Sequence, residues 1–188
     1  MVQINDLRFA YRGKKWLFDG LQLNLDGGNI YGLLGKNGAG KTTLLKIICG
    51  LLFADRGSSV VLGCNSRHRS PELLQELVFI PEEFHVPSLT AGAYRKYYGP
   101  LYPRFSSEDF ASYLKEFGIR ETERLSSLSY GNKKKFLIAF GLATNCRLLI
   151  LDEPTNGLDI PSKSQFRKLV AGALADDRVF IISTHQVR

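Results

Sequence analysis

The segment GKNGAGKT, residues 35–42, concentrates residue types that handle phosphate. Its spacing, G-x-x-x-x-G-K-[ST], is that of a loop that wraps an anion. Gly35, Gly38 and Gly40 let the backbone close round a phosphate without Cβ clashes. Consecutive N–H groups then point inward as a nest, and the helix expected after the loop adds its positive end. In that arrangement Lys41 bridges the β- and γ-phosphates of a nucleoside triphosphate, and the Thr42 hydroxyl holds Mg²⁺.

A second group lies at LLILDEP, residues 148–154. Four apolar residues predict a central strand, with Asp152 at its carboxyl end, the edge where open α/β sheets bind ligands. Asp152 is then the expected Mg²⁺ partner, through water. Glu153 follows on the opposite side of the chain, where a carboxylate can orient and deprotonate a water for in-line attack on a γ-phosphate. A third group is IISTHQ, which brings His185 to the same sheet edge, within reach of the γ-phosphate or the attacking water; a simple capping role is the competing reading. His68 and His85 lack such a setting.

The elements that must position these groups are legible as periodicities. VQINDLRF and LQLNL alternate like half-buried strands, with Leu21, Leu23 and Leu25 on one face. NIYGLL reads as a buried strand, KTTLLKIICG as a helix stopped by Gly50, and SVVLG as a short strand. SPELLQEL predicts a short helix with Ser70 as N-cap and Pro71 in its first position, and LVFI a buried strand ending at Pro81. From Phe84 to Leu128 there is no strong strand signal; LTAGAYRKYY and SSEDFASYLKEFG read as helices, the latter closed by Gly118. The aromatic residues Tyr94, Tyr97, Tyr98, Tyr102, Phe105, Phe110, Tyr113 and Phe117 are expected to form the small core of a helical insert. LLIL, PSKSQFRKLVAGALA and RVFIIST then alternate as strand, helix and strand. The fold class expected is α/β, with a mainly parallel sheet.

At 188 residues and 44% hydrophobic content the chain suits one soluble domain with an inserted subdomain. Its net charge of +7 fits nucleic acid, an acidic membrane surface, an anionic ligand or a merely solvated basic surface. Cys49, Cys64 and Cys146 are odd in number and lack metal-ligand spacing, as expected of reduced thiols in a cytosol. No apolar run approaches the roughly 18 residues of a membrane span, and MVQINDLRFA has no secretory pattern.

LSYGNKKKF, from residue 128, opens a helix with Ser129, Gly131 and then Lys133, Lys134 and Lys135. Cations are unfavourable at a helix N-terminus, so either an anion belongs there or the lysines lie on a solvated face.

With these motifs in this order, the chain resembles the ATP-binding cassette (ABC) ATPase family over essentially its whole length. GKNGAGKTT is similar to the family's P-loop, LSYGN to its signature loop, LLILDEP to the Walker B strand with catalytic Glu153, NGLD to its D-loop with Asp159, and STHQ to the switch histidine, His185. The resemblance implies a P-loop NTPase core, an N-terminal antiparallel β subdomain, and an inserted helical subdomain over 84–144 within a single domain of residues 1–188. It implies that ATP is bound by Tyr11, stacking on adenine, and by Gly35, Asn37, Gly38, Ala39, Gly40, Lys41, Thr42 and Thr43, with Lys41, Glu153 and His185 catalytic. Thr42, Asp152 and the Q-loop residue Glu82 are the implied Mg²⁺ set. Leu128, Ser129, Tyr130, Gly131 and Asn132 would close over the ATP of a second cassette, with the Ser129 hydroxyl and Gly131 N–H as phosphate contacts.

Three positions depart from the family pattern: Glu82 stands for Gln, Tyr130 for Gly, and Asn132 for Gln. The activity implied is Mg²⁺-dependent ATP hydrolysis that powers a membrane permease on a separate chain, export being slightly favoured over import. A homodimer formed with ATP is expected, cytoplasmic and peripheral on the inner face of the membrane through the permease, with no nucleic acid bound. The alternative is a soluble relative acting on a nucleic-acid, ribosomal or cluster-assembly partner. The resemblance also implies further chain beyond Arg188.

Overall fold

In the first strand, β1 (Val2–Phe9), Val2, Ile4, Leu7 and Phe9 point inward and the residues between them are exposed or half-buried. The alternation slips once, at Asp6, whose φ of 45° marks an irregularity in the pairing with both neighbours. Gly57 sits against that bulge: a Cβ there would lie 2.3 Å from the Asp6 carbonyl oxygen. β2 (Phe18–Leu25), β4 (Arg56–Val61) and β5 (Cys64–Asn65) complete an antiparallel sheet of order β2-β1-β4-β5. The computed structural model describes residues 1–185; the expectation about chain beyond Arg188 lies outside them.

The second sheet is parallel throughout, with order β3-β8-β7-β6. Its strands are β3 (Asn29–Leu34), β6 (Leu77–Ile80), β7 (Leu148–Leu151) and β8 (Val179–Thr184). All four residues of β7 are buried, as a central strand covered on both faces requires. NIYGLL does not match the expected buried strand. β3 forms the edge of the sheet, and Ile30 and Leu34 are 40% and 55% exposed. An apolar run reports a strand but not what covers it.

One face of the parallel sheet packs on α1 (Lys41–Ile48) and on the antiparallel sheet, through Leu45, Ile47, Ile150 and Ile181 with Val2, Ile4 and Leu7. The other face packs on α5 (Tyr130–Ala143) and α6 (Ile160–Gly172), with α3 (Ala91–Tyr98) and α4 (Ser107–Glu116) beyond them. Burying a side chain such as Phe136 stabilises the fold by about 2–3 kcal/mol. Ser70 caps α2 (Pro71–Leu74) and Gly118 has φ 68° after α4, as their sequences predict. α6 stops three residues short of the expected PSKSQFRKLVAGALA helix.

The aromatic residues between 94 and 117 behave differently from the expected insert core. Phe110 and Phe117 are buried, whereas Tyr97 is 64% exposed and Tyr98 37%. Within 84–144, Tyr94 and Phe110 meet Phe136 and Phe140 of α5 edge-on, and the same core continues beyond the insert to Ile80, Leu149 and Phe180 of the sheet. The helices between β6 and β7 therefore share one hydrophobic core with one face of the sheet.

Candidate functional site

The loop joining β3 to α1 turns on two left-handed glycines, Gly38 (φ 80°) and Gly40 (φ 95°). A Cβ on Gly40 would also press on Phe18 and Leu17, at 3.0 and 3.1 Å. Gly40 is the N-cap of α1 and offers no side-chain cap, which leaves the leading N–H groups of the helix to a ligand. Lys41 Nζ donates to the carbonyls of Gly35 (2.7 Å) and Lys36 (3.3 Å) and lies 3.5 Å from Glu153 Oε1.

The parallel sheet brings distant residues to the same edge. Thr42 Oγ1 donates to Asp152 Oδ2 at 2.6 Å across 110 residues of chain. Ser183 Oγ donates to Asp152 Oδ1 and accepts the Glu153 N–H at 2.9 Å. Glu153 has φ 47°, a left-handed backbone unusual for a residue with a side chain. It is only 4% exposed. Neither of its carboxylate oxygens has an aligned hydrogen bond. Lys41 Nζ faces one oxygen, and His185 Nδ1 lies 3.0 Å from the other. A buried carboxylate faced by a lysine and a histidine but held by no aligned hydrogen bond, next to a phosphate-wrapping loop, is suited to accept a proton from water.

Lys41, Thr42 and Glu153 line a cavity of about 500 Å³ with Tyr11, Trp16, Asn37, Gly38, Gly40, Thr43 and Glu82, whereas Asp152 and His185 do not line it. Gly35 and Ala39 belong to the loop without lining it. Tyr11 shares a hydrogen bond with Thr43 Oγ1 at 2.8 Å and meets Phe9 edge-on, which sets its ring at the cavity's mouth. Of the expected Mg²⁺ set, Thr42 and Asp152 come together; Glu82 borders the same cavity, with Oε1 accepting from Asn156 Nδ2 at 2.9 Å. Among the described residues no group of three His, Cys, Asp or Glu side chains could hold a metal. A hydroxyl and one carboxylate fit Mg²⁺, which takes most of its oxygens from water and substrate phosphates.

LSYGN lies elsewhere. Ser129, Tyr130, Gly131 and Asn132 border a second cavity of about 370 Å³ together with Lys135 and Asp159, and it shares no lining residue with the first. Leu128 is buried just before it. The Ser129 hydroxyl accepts from the Asn132 N–H at 3.2 Å, so within this chain it caps α5. Asp159 caps α6 by accepting from the Ser162 N–H at 2.8 Å. Hydrogen bonding from the Ser162 side chain and then from its N–H, with Lys135 nearby, holds the Asp159 carboxyl below the usual range.

The three lysines do not share one solvated face. Lys133 and Lys135 are half-buried, but Lys134 is completely buried. Its Nζ donates to the carbonyls of Glu153 and Asn156, both at 3.1 Å, and lies 5.2 Å from the centre of the Tyr130 ring. Burial pushes the Lys134 pKa below that of an ordinary lysine. One signal could have found it: Lys134, Ile138 and Leu142 recur at helical spacing and all are buried. Trp16, which no motif marks, is half exposed and sits on the first cavity beside Lys14 and Lys15.

Comparison with known proteins agrees with this layout. A family-wide profile described as ABC transporter matches residues 18–156. The ABC transporter ATP-binding protein YtrB of Bacillus subtilis (strain 168) is 30% identical over 191 residues; the match takes in 100% of this chain and 64% of YtrB, so the chain spans less than two thirds of that relative. The lantibiotic transport ATP-binding protein SrtF of Streptococcus pyogenes is 29% identical, over 98% of this chain and 80% of SrtF. A solved structure described as the ATP binding subunit of an ABC transporter superposes with a TM-score of 0.87 at 25% identity, covering 98% of this chain and 79% of that one. The order of motifs, the site assembled at one sheet edge and the profile match lead to one assignment: the chain belongs to the ABC transporter family.

Proposed function

We propose that this chain is the ATP-hydrolysing subunit of an ABC transporter and powers a membrane permease carried on a separate chain, with export favoured over import. The observation that carries the reading is Glu153: buried, without an aligned hydrogen bond, and flanked by Lys41 and His185 at the edge of a phosphate-wrapping loop. The loop N–H groups and Lys41 bind the β- and γ-phosphates of ATP. Glu153 takes the proton of the attacking water, and His185 orients that water or the γ-phosphate. Thr42 and Asp152 are the residues that would hold Mg²⁺, which supplies positive charge beside the phosphates when bound. Tyr11, and Trp16 beside it, receive the adenine.

The separation of the two cavities supports a pair of subunits, because the residues of LSYGN do not line the pocket of their own P-loop. A second copy would place Ser129, Gly131 and the start of α5 over the first copy's γ-phosphate, with Asp159 alongside. The region 84–144, which shares its core with the sheet, is the part proposed to pass this closure to a permease. No helix among the described residues is long and apolar enough to cross a membrane, which fits a permease on another chain. Export is favoured because SrtF, a relative matched over 80% of its length, is a lantibiotic transport ATP-binding protein.

The test is the solution mass of Glu153→Gln with and without MgATP, by light scattering after size exclusion. Doubling of mass with ATP is expected. A monomer that retains ATP overturns the homodimer, and failure to bind ATP overturns the nucleotide reading itself.

A further inference from the structure

The backbone of Glu153 is held from both ends. Its left-handed φ of 47° is a conformation that a residue with a side chain keeps only where surrounding contacts fix it. Its N–H is taken by Ser183 on β8. Its carbonyl accepts from Lys134 on α5, and so does the carbonyl of Asn156, three residues on. The direction of the Cα–Cβ bond follows from this backbone, so the carboxylate faces Lys41 and His185 only while the turn is kept. Lys134 is fully buried, and its ammonium meets two carbonyls and the face of the Tyr130 ring. Tyr130 belongs to LSYGN, so the departure from glycine at that position places an aromatic cover over the buried cation. Asn156 in turn donates its side-chain amide to Glu82 in the loop after β6.

We propose that Lys134 is a positioning residue: its buried ammonium holds the turn of residues 153–156 so that the Glu153 carboxylate faces the nucleotide cavity, and it ties that carboxylate to the helix that opens with LSYGN. The proposal rests on the reading of Glu153 as the base. Movement of α5 then reaches the base through the Lys134 side chain, within one subunit. The two approaches to the base differ: Ser183 fixes it to the rigid sheet, whereas Lys134 fixes it to a helix whose N-terminus faces the second cavity.

Two readouts test this. In nucleotide-free protein, amide exchange at residues 153–158 should quicken at least tenfold in Lys134→Met, with β7 amides unchanged. In steady-state hydrolysis Lys134→Met should lose at least tenfold in kcat, with ATP affinity within twofold of wild type, and Lys134→Arg should recover most of the loss. Added to Glu153→Gln, which has no base to position, Lys134→Met should change the residual rate less than twofold. Unchanged exchange at 153–158 overturns the proposal, and so does a fall in kcat that is undiminished in the Glu153→Gln background. If wild type binds ATP but hydrolyses it no faster than Glu153→Gln, the reading of Glu153 as the base has failed, and the exchange result still decides the anchoring. Should Lys134→Met not fold, Lys134→Gln, which keeps an uncharged amide donor at shorter reach, is measured in the same two ways.

Discussion

Tyr130 Oη donates to the backbone carbonyl of Glu82 at 2.6 Å, fastening the first turn of α5 to the loop that leaves β6. The ring also stacks on Phe84 at 5.1 Å between centroids. Burial, with Glu82 and Glu83 nearby, raises the phenol's pKa above its ordinary value, so Tyr130 keeps its proton through neutral pH and remains a donor. Tyr130→Phe keeps the stack and loses the hydrogen bond, a cost of about 1 kcal/mol. Tyr130→Gly loses both and loosens the helix start, for about 2 kcal/mol in total. Urea unfolding should rank the three proteins in that order; a Tyr130→Gly variant as stable as wild type would show that the latch contributes nothing.

Glu82 brings a carboxylate to a cavity that is to receive phosphates. Glu82→Gln keeps an acceptor for the Asn156 amide and removes the charge. The expected result is faster hydrolysis, or half-maximal hydrolysis at several-fold lower Mg²⁺, worth about 1 kcal/mol if the charge is felt across a partly solvated gap. A Mg²⁺ titration of the rate checks it, and identical curves for the two proteins would remove Glu82 from any role at the phosphates.

Trp16 is the sole tryptophan of the chain, so its fluorescence reports one place. It lies half exposed on the first cavity, on the same loop as Tyr11. Titration with MgATP should quench or shift its emission. Trp16→Ala and Tyr11→Ala should each weaken binding by about 1–3 kcal/mol if the rings stack on the base. Emission that stays constant while a labelled nucleotide binds would place the base away from Trp16.

Thiol reactivity provides a check on the fold that needs no nucleotide. Cys49 and Cys146 are 2% and 3% exposed. Burial pushes the Cys146 pKa up to about 12 and raises that of Cys49 as well. The thiolate is the reactive form, so at pH 8 both stay protonated and shielded in the native state. Cys64 is partly exposed. A thiol reagent should therefore modify one group per chain under native conditions and three after denaturation; rapid native reaction of all three would contradict the two buried placements.

Lys41, Thr42, Asp152 and Glu153 were legible because each sits beside a strand in a parallel sheet, and such sheets gather the carboxyl ends of their strands at one edge. Contiguous motifs and one rule of topology were enough to bring residues 110 positions apart into contact. Lys134 was harder. Three consecutive lysines look like surface, and only the helical register of Lys134 with Ile138 and Leu142 marks one of them as buried. The bond from Tyr130 to the Glu82 carbonyl had no local signal at all, because it joins two loops 48 residues apart. The exposure of Ile30 and Leu34 was likewise out of reach, since strand position in a sheet depends on partners that arrive later in the chain.

The pairing of β3 with β8 has a consequence for the order in which the molecule is completed. Asn29 pairs with Val179, and Leu34 with Thr184, so the strand that leads into the phosphate loop has its only sheet neighbour among the described residues in a strand synthesised long after it. Closing so long a loop delays the contact. The antiparallel sheet draws all its strands from residues 2–65 and can form while synthesis continues. Ser183, which bonds both Asp152 and Glu153, arrives with β8. A nascent chain released before β8 emerges therefore carries the glycine-rich loop but not the sheet edge it works against, and nucleotide binding becomes a sign that synthesis has passed residue 184.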